Sequence, residues 1–248
     1  YLGNHKSGYT GVSYDISNYL HYGKENVIVV RVDATQYEGW FYEGAGIYRH
    51  VWLNQYAPVH LDENPVFVYT AVKGNTAIVT VETTIQNETG TTTGITVSNI
   101  ITDRDGNIIS KTTEQPVSLN SNENKTIRQY INVSKPRLWS LEDPYLYRVI
   151  PILKQNGKII DSDKIRFGIR TIDISVKGLF LNGKYIKIKG TNNHQDHAGV
   201  GSALPDYLQY YRINLLKQLG SNAYRTSHNP PTKELLDACD SLGMLVLD

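Results

Sequence analysis

Residues able to do chemistry gather in three short stretches near the end of this chain. TNNHQDH carries Asn193, His194, Asp196 and His197, RTSHN carries Arg225, Ser227, His228 and Asn229, and Asp248 follows the apolar run MLVL. His194 and His197, spaced i, i+3 with Asp196 between them, could ligate a metal if a helix or tight turn gathered them. Ser227 and His228 are no nucleophilic dyad, because neighbours on a strand point to opposite faces. Arg225 reads two ways, as a brace on a strand-end carboxylate such as Asp248 or as a contact to a bound molecule. His194 and His228 read as donors to sugar hydroxyls or as structural hydrogen-bonders. Imidazole suits the first role because one nitrogen can donate while a partner on the other holds the tautomer. No glycine-rich phosphate loop stands at a strand–helix junction.

The elements around these stretches must position them. After Ser175 a hairpin (LFLNGKYIKI, turning at Asn182-Gly183) leads into Ile188-Lys189-Gly190. A helix is expected over Pro205–Leu219, with Leu208, Tyr211, Leu215 and Leu219 inward and Gly220 as the residue beyond its C-cap. A short strand follows at Asn222–Thr226. A second helix is expected over Thr232–Leu242, preceded by Pro230-Pro231 and followed by Gly243, with Leu235, Leu236, Cys239 and Leu242 inward. Met244–Leu247 reads as an apolar strand. The order β-α-β-α-β begins a parallel sheet or barrel, whose functional face is at the C-terminal ends of its strands. The three polar stretches fall at those ends, while the strand interiors are expected to be apolar.

Upstream, to about residue 173, the apolar period is two. Asn26–Val32 and GIYRHVWLN (Gly46–Asn54) read as strands, as do the alternations Ala77–Ile85 and Ile127–Val133. Turn signals at Lys73-Gly74-Asn75, Asp105-Gly106 and Asn156-Gly157 separate such runs, the last reading as a type I′ hairpin. YAPVHLDENP (Tyr56–Pro65) lacks alternation and reads as a linker. The expected fold is multidomain and mainly β. Residues 1–58, too small to close a core alone, would be the tail of a larger sandwich. Residues 59–174 would be an immunoglobulin-like sandwich, and 175–248 the first β-α-β-α-β of an open parallel sheet or a (β/α)8 barrel. An apolar strand at the open edge of that barrel piece would leave it poorly packed or stabilised by another copy, the one route to a homo-oligomer suggested here.

The whole chain has 248 residues, a formal charge of +1 and a single cysteine, Cys239. That balance disfavours nucleic-acid binding through a basic face, and no apolar run is long enough to span a membrane. One cysteine excludes an internal disulfide framework. Eighteen tyrosines against four phenylalanines suit strand surfaces, wet interfaces and sugar contacts alike.

NAYRTSHNP, followed by Leu235-Leu236, Asp240, Gly243 and Met244–Leu247, resembles the signature of glycoside hydrolase family 2, the group of β-galactosidases, β-glucuronidases and β-mannosidases. The tyrosine usual after the histidine is Asn229 here. GTNNHQDH resembles the family's stretch at the end of the first barrel strand. WSLEDPYLY (Trp139–Tyr147) resembles the end of its immunoglobulin-like domain, and GAGIYRHVWL the end of its jelly roll. The resemblance implies a retaining, exo-acting β-glycosidase, most nearly β-galactosidase-like, acting on oligosaccharides or other β-glycosides without a cofactor. It implies substrate-binding roles for His194, Asp196, Arg225, His228 and Asn229. Such enzymes work with two carboxyls about 5–5.5 Å apart. In the family both are glutamates on later strands, so this chain would be a piece cut at both ends, holding neither. Asp196 and Asp248 are assigned to substrate binding and the barrel rim rather than to catalysis. A non-catalytic carbohydrate-binding or scaffold module is the competing class. Bound ions and compartment are left open, with a periplasmic or secreted location suspected.

Overall fold

The computed structural model describes residues 1–35 and 45–247, so Asp248, and with it the proposed Arg225–Asp248 brace, lies outside the described residues. The chain forms two compact units.

The first unit holds Leu53–Lys189 and Asp240–Leu245. In chain order its strands are β1 (Val59–Lys73), β2 (Thr76–Asn87), β3 (Thr93–Thr102), β4 (Ile108–Lys111), β5 (Gln115–Leu119), β6 (Asn124–Ser134), β7 (Tyr147–Gln155), β8 (Lys158–Ser162), β9 (Ile165–Phe167), β10 (Ile172–Ser175), β11 (Gly178–Leu181) and β12 (Lys184–Ile186). One antiparallel sheet runs β1-β2-β6. The other runs β4-β3-β7-β8, with β5 also on β3 and β9 also on β7. The period of two explains why they face each other. Along β6, Ile127, Gln129, Ile131 and Val133 are buried while the residues between them are exposed. Val79, Val81, Ile101, Ile131, Val133 and Val149 join one core cluster, and Ile85, Val97, Leu119 and Leu153 another. Each such side chain fully buried contributes about 1.5–3 kcal/mol. Two of the buried polar residues pair with each other: Asn99 Nδ2 donates to Gln129 Oε1 at 2.9 Å.

The expected I′ turn at Asn156-Gly157 is present, and the expected hairpin turn at Asn182-Gly183 has the same backbone. Asn156 and Gly157 have φ of 51° and 76°, and Asn182 and Gly183 have 52° and 76°, the left-handed pair such turns need. Trp139 is fully buried and bonded on every polar side. Its Nε1 donates to the Asp240 carbonyl at 2.8 Å, its backbone N–H to Ile169 O at 2.8 Å, and its carbonyl accepts from Asn182 Nδ2 at 2.9 Å.

Two expectations are corrected here. Tyr56–Pro65 is not a linker throughout, because β1 begins at Val59 and passes through a register shift between Leu61 and Val66. The bulge breaks the alternation that sequence reading depends on. Nor do Asn26–Val32 and Gly46–Asn54 form strands. The described residues before Val59 contain only a 3-10 turn at Ser17–Tyr19, and Val27–Val30 are exposed on both sides. A strand is completed by a partner's backbone, and no described segment supplies one to these runs.

The second unit holds Tyr1–Trp52, Gly190–Cys239 and the residues from Val246. Its elements follow the expected order: β13 (Gly190–Asn193), α1 (Asp206–Gln218), β14 (Ala223–Thr226), α2 (Lys233–Leu242) and β15 (Leu245–Leu247), the last two crossing into the first unit. The strands form one sheet in the order β13-β14-β15, with β13 and β14 parallel. α1 ends as a Schellman motif: Ser221 N–H donates to Leu216 O and Gly220 N–H to Lys217 O, both at 3.0 Å. Thr232 Oγ1 accepts from the Leu235 N–H at 3.3 Å at the start of α2.

The inner face of α1 differs from expectation. Gln209 and Ile213 are buried, whereas Tyr211, Leu215 and Leu219 are exposed. Apolar residues lie on two faces of this helix, so the leucine count pointed to the wrong one. On α2 the buried residues are Leu235, Ala238 and Cys239, with Leu236 exposed. β13 is Gly-Thr-Asn-Asn, so it lacks the apolar interior expected of it. Its glycine has a steric reason: a Cβ on Gly190 would sit 2.3 Å from the Ala223 carbonyl oxygen.

Candidate functional site

Parallel pairing in register sets Asn193 beside Thr226, so the chain leaves β13 and β14 at the same edge. The Ser227 N–H donates to Asn193 O at 3.0 Å, extending the pairing by one bond. The Ser227–His228 peptide is cis. The rings of His194 and His228 meet edge to face with centroids 5.5 Å apart. Arg225, exposed on the same strand, donates from Nη1 to Ser227 Oγ at 3.1 Å. Arg212, from α1, donates to the His194 carbonyl at 2.9 Å. Asp196 is half-buried on the β13 loop, and Asn229 takes part through its backbone carbonyl, which accepts from Gln195 Nε2 at 2.8 Å. The arrangement offers two imidazole edges and a guanidinium, all able to donate to hydroxyl or carboxylate oxygens.

Sequence reasoning missed Gln195 and Arg49. Gln195 is buried between His194 and Asp196, and its Nε2 donates to Asn229 O and Pro230 O, each at 2.8 Å. Its Oε1 accepts from Arg49 Nη2, which also reaches Pro230 O at 3.0 Å, while Arg49 Nη1 donates to Tyr9 O at 2.7 Å. Beneath the loops lies a small recess lined by Asn193, Gln195, Gln209, Tyr224, Thr226 and Leu235 among others. None of the five predicted site residues lines it. Burial raises the Tyr224 hydroxyl pKa above its ordinary value.

The metal reading of His194, Asp196 and His197 finds no cluster among the described residues. His197 Nδ1 stands 3.0 Å from Ala198 O, in a turn where its backbone bridges to Gly201. Donor atoms do come together at His50, Asp206 and Glu234. His50 Nε2 lies 2.8 Å from Asp206 Oδ1 and 3.8 Å from Glu234 Oε1. The hydrogen bond and charge of Asp206 raise the His50 pKa, with Glu234 adding to the effect. Both carboxylates stand on first helical turns, whose positive dipole ends favour anions and disfavour a bound cation.

A two-sheet β-sandwich followed by the opening β-α-β-α-β of a TIM barrel, with polar loops at the strand ends, is the architecture of a multidomain glycoside hydrolase. The chain belongs to glycosyl hydrolase family 2: the family's own model matches residues 59–170, and its TIM barrel domain model matches residues 172–248. It is 35% identical over 250 residues to the β-galactosidase BoGH2A of Bacteroides ovatus, covering all of this chain and 29% of that protein. It is 29% identical to a β-glucuronidase of Formosa agariphila, covering all of this chain and 28% of that one. A solved family 2 member from Bacteroides cellulosilyticus superposes with a TM-score of 0.95 at 39% identity, over the whole chain and 34% of the structure. The chain thus spans about a third of the length of these relatives.

Proposed function

We propose that this chain is part of a retaining, exo-acting β-glycosidase and supplies one wall of its terminal-sugar subsite. Residues 1–58 would close a jelly-roll sandwich, 59–174 form the immunoglobulin-like domain and 175–248 begin the catalytic barrel. The observation that carries the reading is the pairing of His194 with His228 across adjacent parallel strand ends, on the edge where such barrels keep their substrates. His194 and His228 donate to ring hydroxyls, Arg225 and Asp196 flank them, and Asn229 fills the place beside His228. The two catalytic carboxyls would come from strands outside this chain. Relatives named as glycosidases over its full length favour this over a non-catalytic module.

The relatives carry both galactosidase and glucuronidase names. We assign galactosides first, with glucuronides as the alternative. No helix among the described residues is long and apolar enough to cross a membrane. The deciding experiment is a panel of chromogenic β-glycosides offered to the full-length protein. Turnover confined to one or two β-linked terminal sugars is expected, and none with any of them would overturn the reading.

A further inference from the structure

Gln195 does nothing toward a ligand, since its whole amide is spent on protein. Its two Nε2 hydrogens meet the carbonyls of Asn229 and Pro230, 34 and 35 residues further along, at 2.8 Å each. Its Oε1 meets the Arg49 guanidinium, which reaches back to Tyr9 O and across to Pro230 O. The partners fix which end is nitrogen, because carbonyls accept and a guanidinium donates. Glutamate here would set an acceptor against two carbonyls, and leucine would take the Gln195 donor from the Asn229 carbonyl and leave Pro230 O to Arg49 alone.

The placement gives this network a consequence. Gln195 follows His194 directly, and Asn229 follows His228 directly. The amide therefore joins the two loops one residue beyond each ring of the edge-to-face pair. We infer that Gln195 is the positioning residue of the sugar subsite: it locks the β13 loop to the β14 loop, with Arg49 of the N-terminal segment as its anchor. Neither side chain needs to touch the sugar. Through Arg49, the segment before Trp52 sets the ring geometry, which makes that segment a determinant of activity as well as of fold. The inference rests on the subsite reading above, so its test needs one readout independent of turnover.

The test compares full-length wild type with Gln195→Ala, Gln195→Glu, Arg49→Ala and the Arg49→Ala/Gln195→Ala double variant. Gln129→Ala, a buried glutamine on β6, serves as control for loss of packing. Gln195→Ala and Arg49→Ala should each lower kcat/KM about tenfold. Gln195→Glu should fall at least as far despite keeping its length. The double variant should be no worse than the poorer single one, since the two groups act as a unit. In ring-labelled protein, the His194 and His228 resonances should shift in Gln195→Ala and stay in place in Gln129→Ala. Unchanged resonances, kcat/KM within twofold of wild type, or multiplying effects in the double variant would each overturn the assignment. A wild type inactive on every glycoside would overturn the functional reading, while the ring resonances would still decide the positioning role.

Discussion

His194 and His228 leave the ends of neighbouring parallel strands and meet edge to face, ring centroids 5.5 Å apart. If both edges donate to one sugar, removing either takes away a hydrogen bond that strengthens as charge develops in the transition state. His228→Ala in the full-length enzyme should therefore lower kcat/KM by a factor on the order of 10²–10³. Steady-state kinetics on the preferred glycoside check this, and wild-type values would remove His228 from the site.

The 248-residue chain alone should hydrolyse no β-glycoside above the uncatalysed rate. Positioning groups orient a sugar but cannot protonate the leaving oxygen or form the glycosyl intermediate, which takes the paired carboxyls of a retaining enzyme. Turnover by purified chain, free of host glycosidase, would place that pair within it.

How far these features were legible in the sequence depends on how local their causes are. The Asn-Gly turns at 156–157 and 182–183 could be read directly, because two adjacent residues decide them. So could the β-α-β-α-β order and the glycine beyond α1. The face of α1 could not, since burial is set by what packs against the helix and its sequence offers two apolar stripes. The runs at 26–32 and 46–54 have the right period, but period shows which residues could enter a sheet and not whether a partner backbone is there. Within the site, His194 and His228 stood out by type. Gln195 did not, because its role is set by carbonyls more than thirty residues away.

His50 offers a titration test. Hydrogen bonding to Asp206, with Glu234 nearby, raises its pKa above histidine's ordinary value of about 6.5. The stabilisation from this contact is therefore fully present below the ordinary value and is lost as pH rises through the raised one. Histidine resonances followed by NMR should show His50 titrating high in wild type and nearer the ordinary value in Asp206→Asn. An unmoved midpoint in that variant would show that Asp206 is not the cause.

Trp139 and Gly243 should be sensitive to stability measurements. Trp139→Ala empties a fully buried site and should cost about 3–5 kcal/mol. Trp139→Phe refills most of the volume but leaves the Asp240 carbonyl without its 2.8 Å donor, a cost of about 1–3 kcal/mol. Gly243 has φ of 74°, and a Cβ there would lie 2.4 Å from Leu141 O, so Gly243→Ala meets both strain and a backbone clash. Denaturant midpoints should fall for all three variants, and a neutral Gly243→Ala would show that this turn relaxes freely.

The last expectation concerns where stability resides along the chain. β2, β3 and β7 lie inside their sheets, paired on both sides, and their buried residues supply much of two core clusters. Opening any of them exposes large apolar area, so their amides should exchange only through events close to global unfolding. β15 stands at the edge of the three-stranded sheet, with Leu245 and Val246 half-buried and Leu247 exposed. An apolar strand at an open edge presents unpaired backbone groups and little packing to resist local opening. In a dilute monomer of this chain, slow exchange is expected in β2, β3 and β7, and fast exchange in β15 and the Ser227–Pro231 loop. Adding chain until it self-associates should slow exchange in β15 selectively if that edge is where copies meet. Uniformly slow exchange in a sample shown to be monomeric would refute the argument.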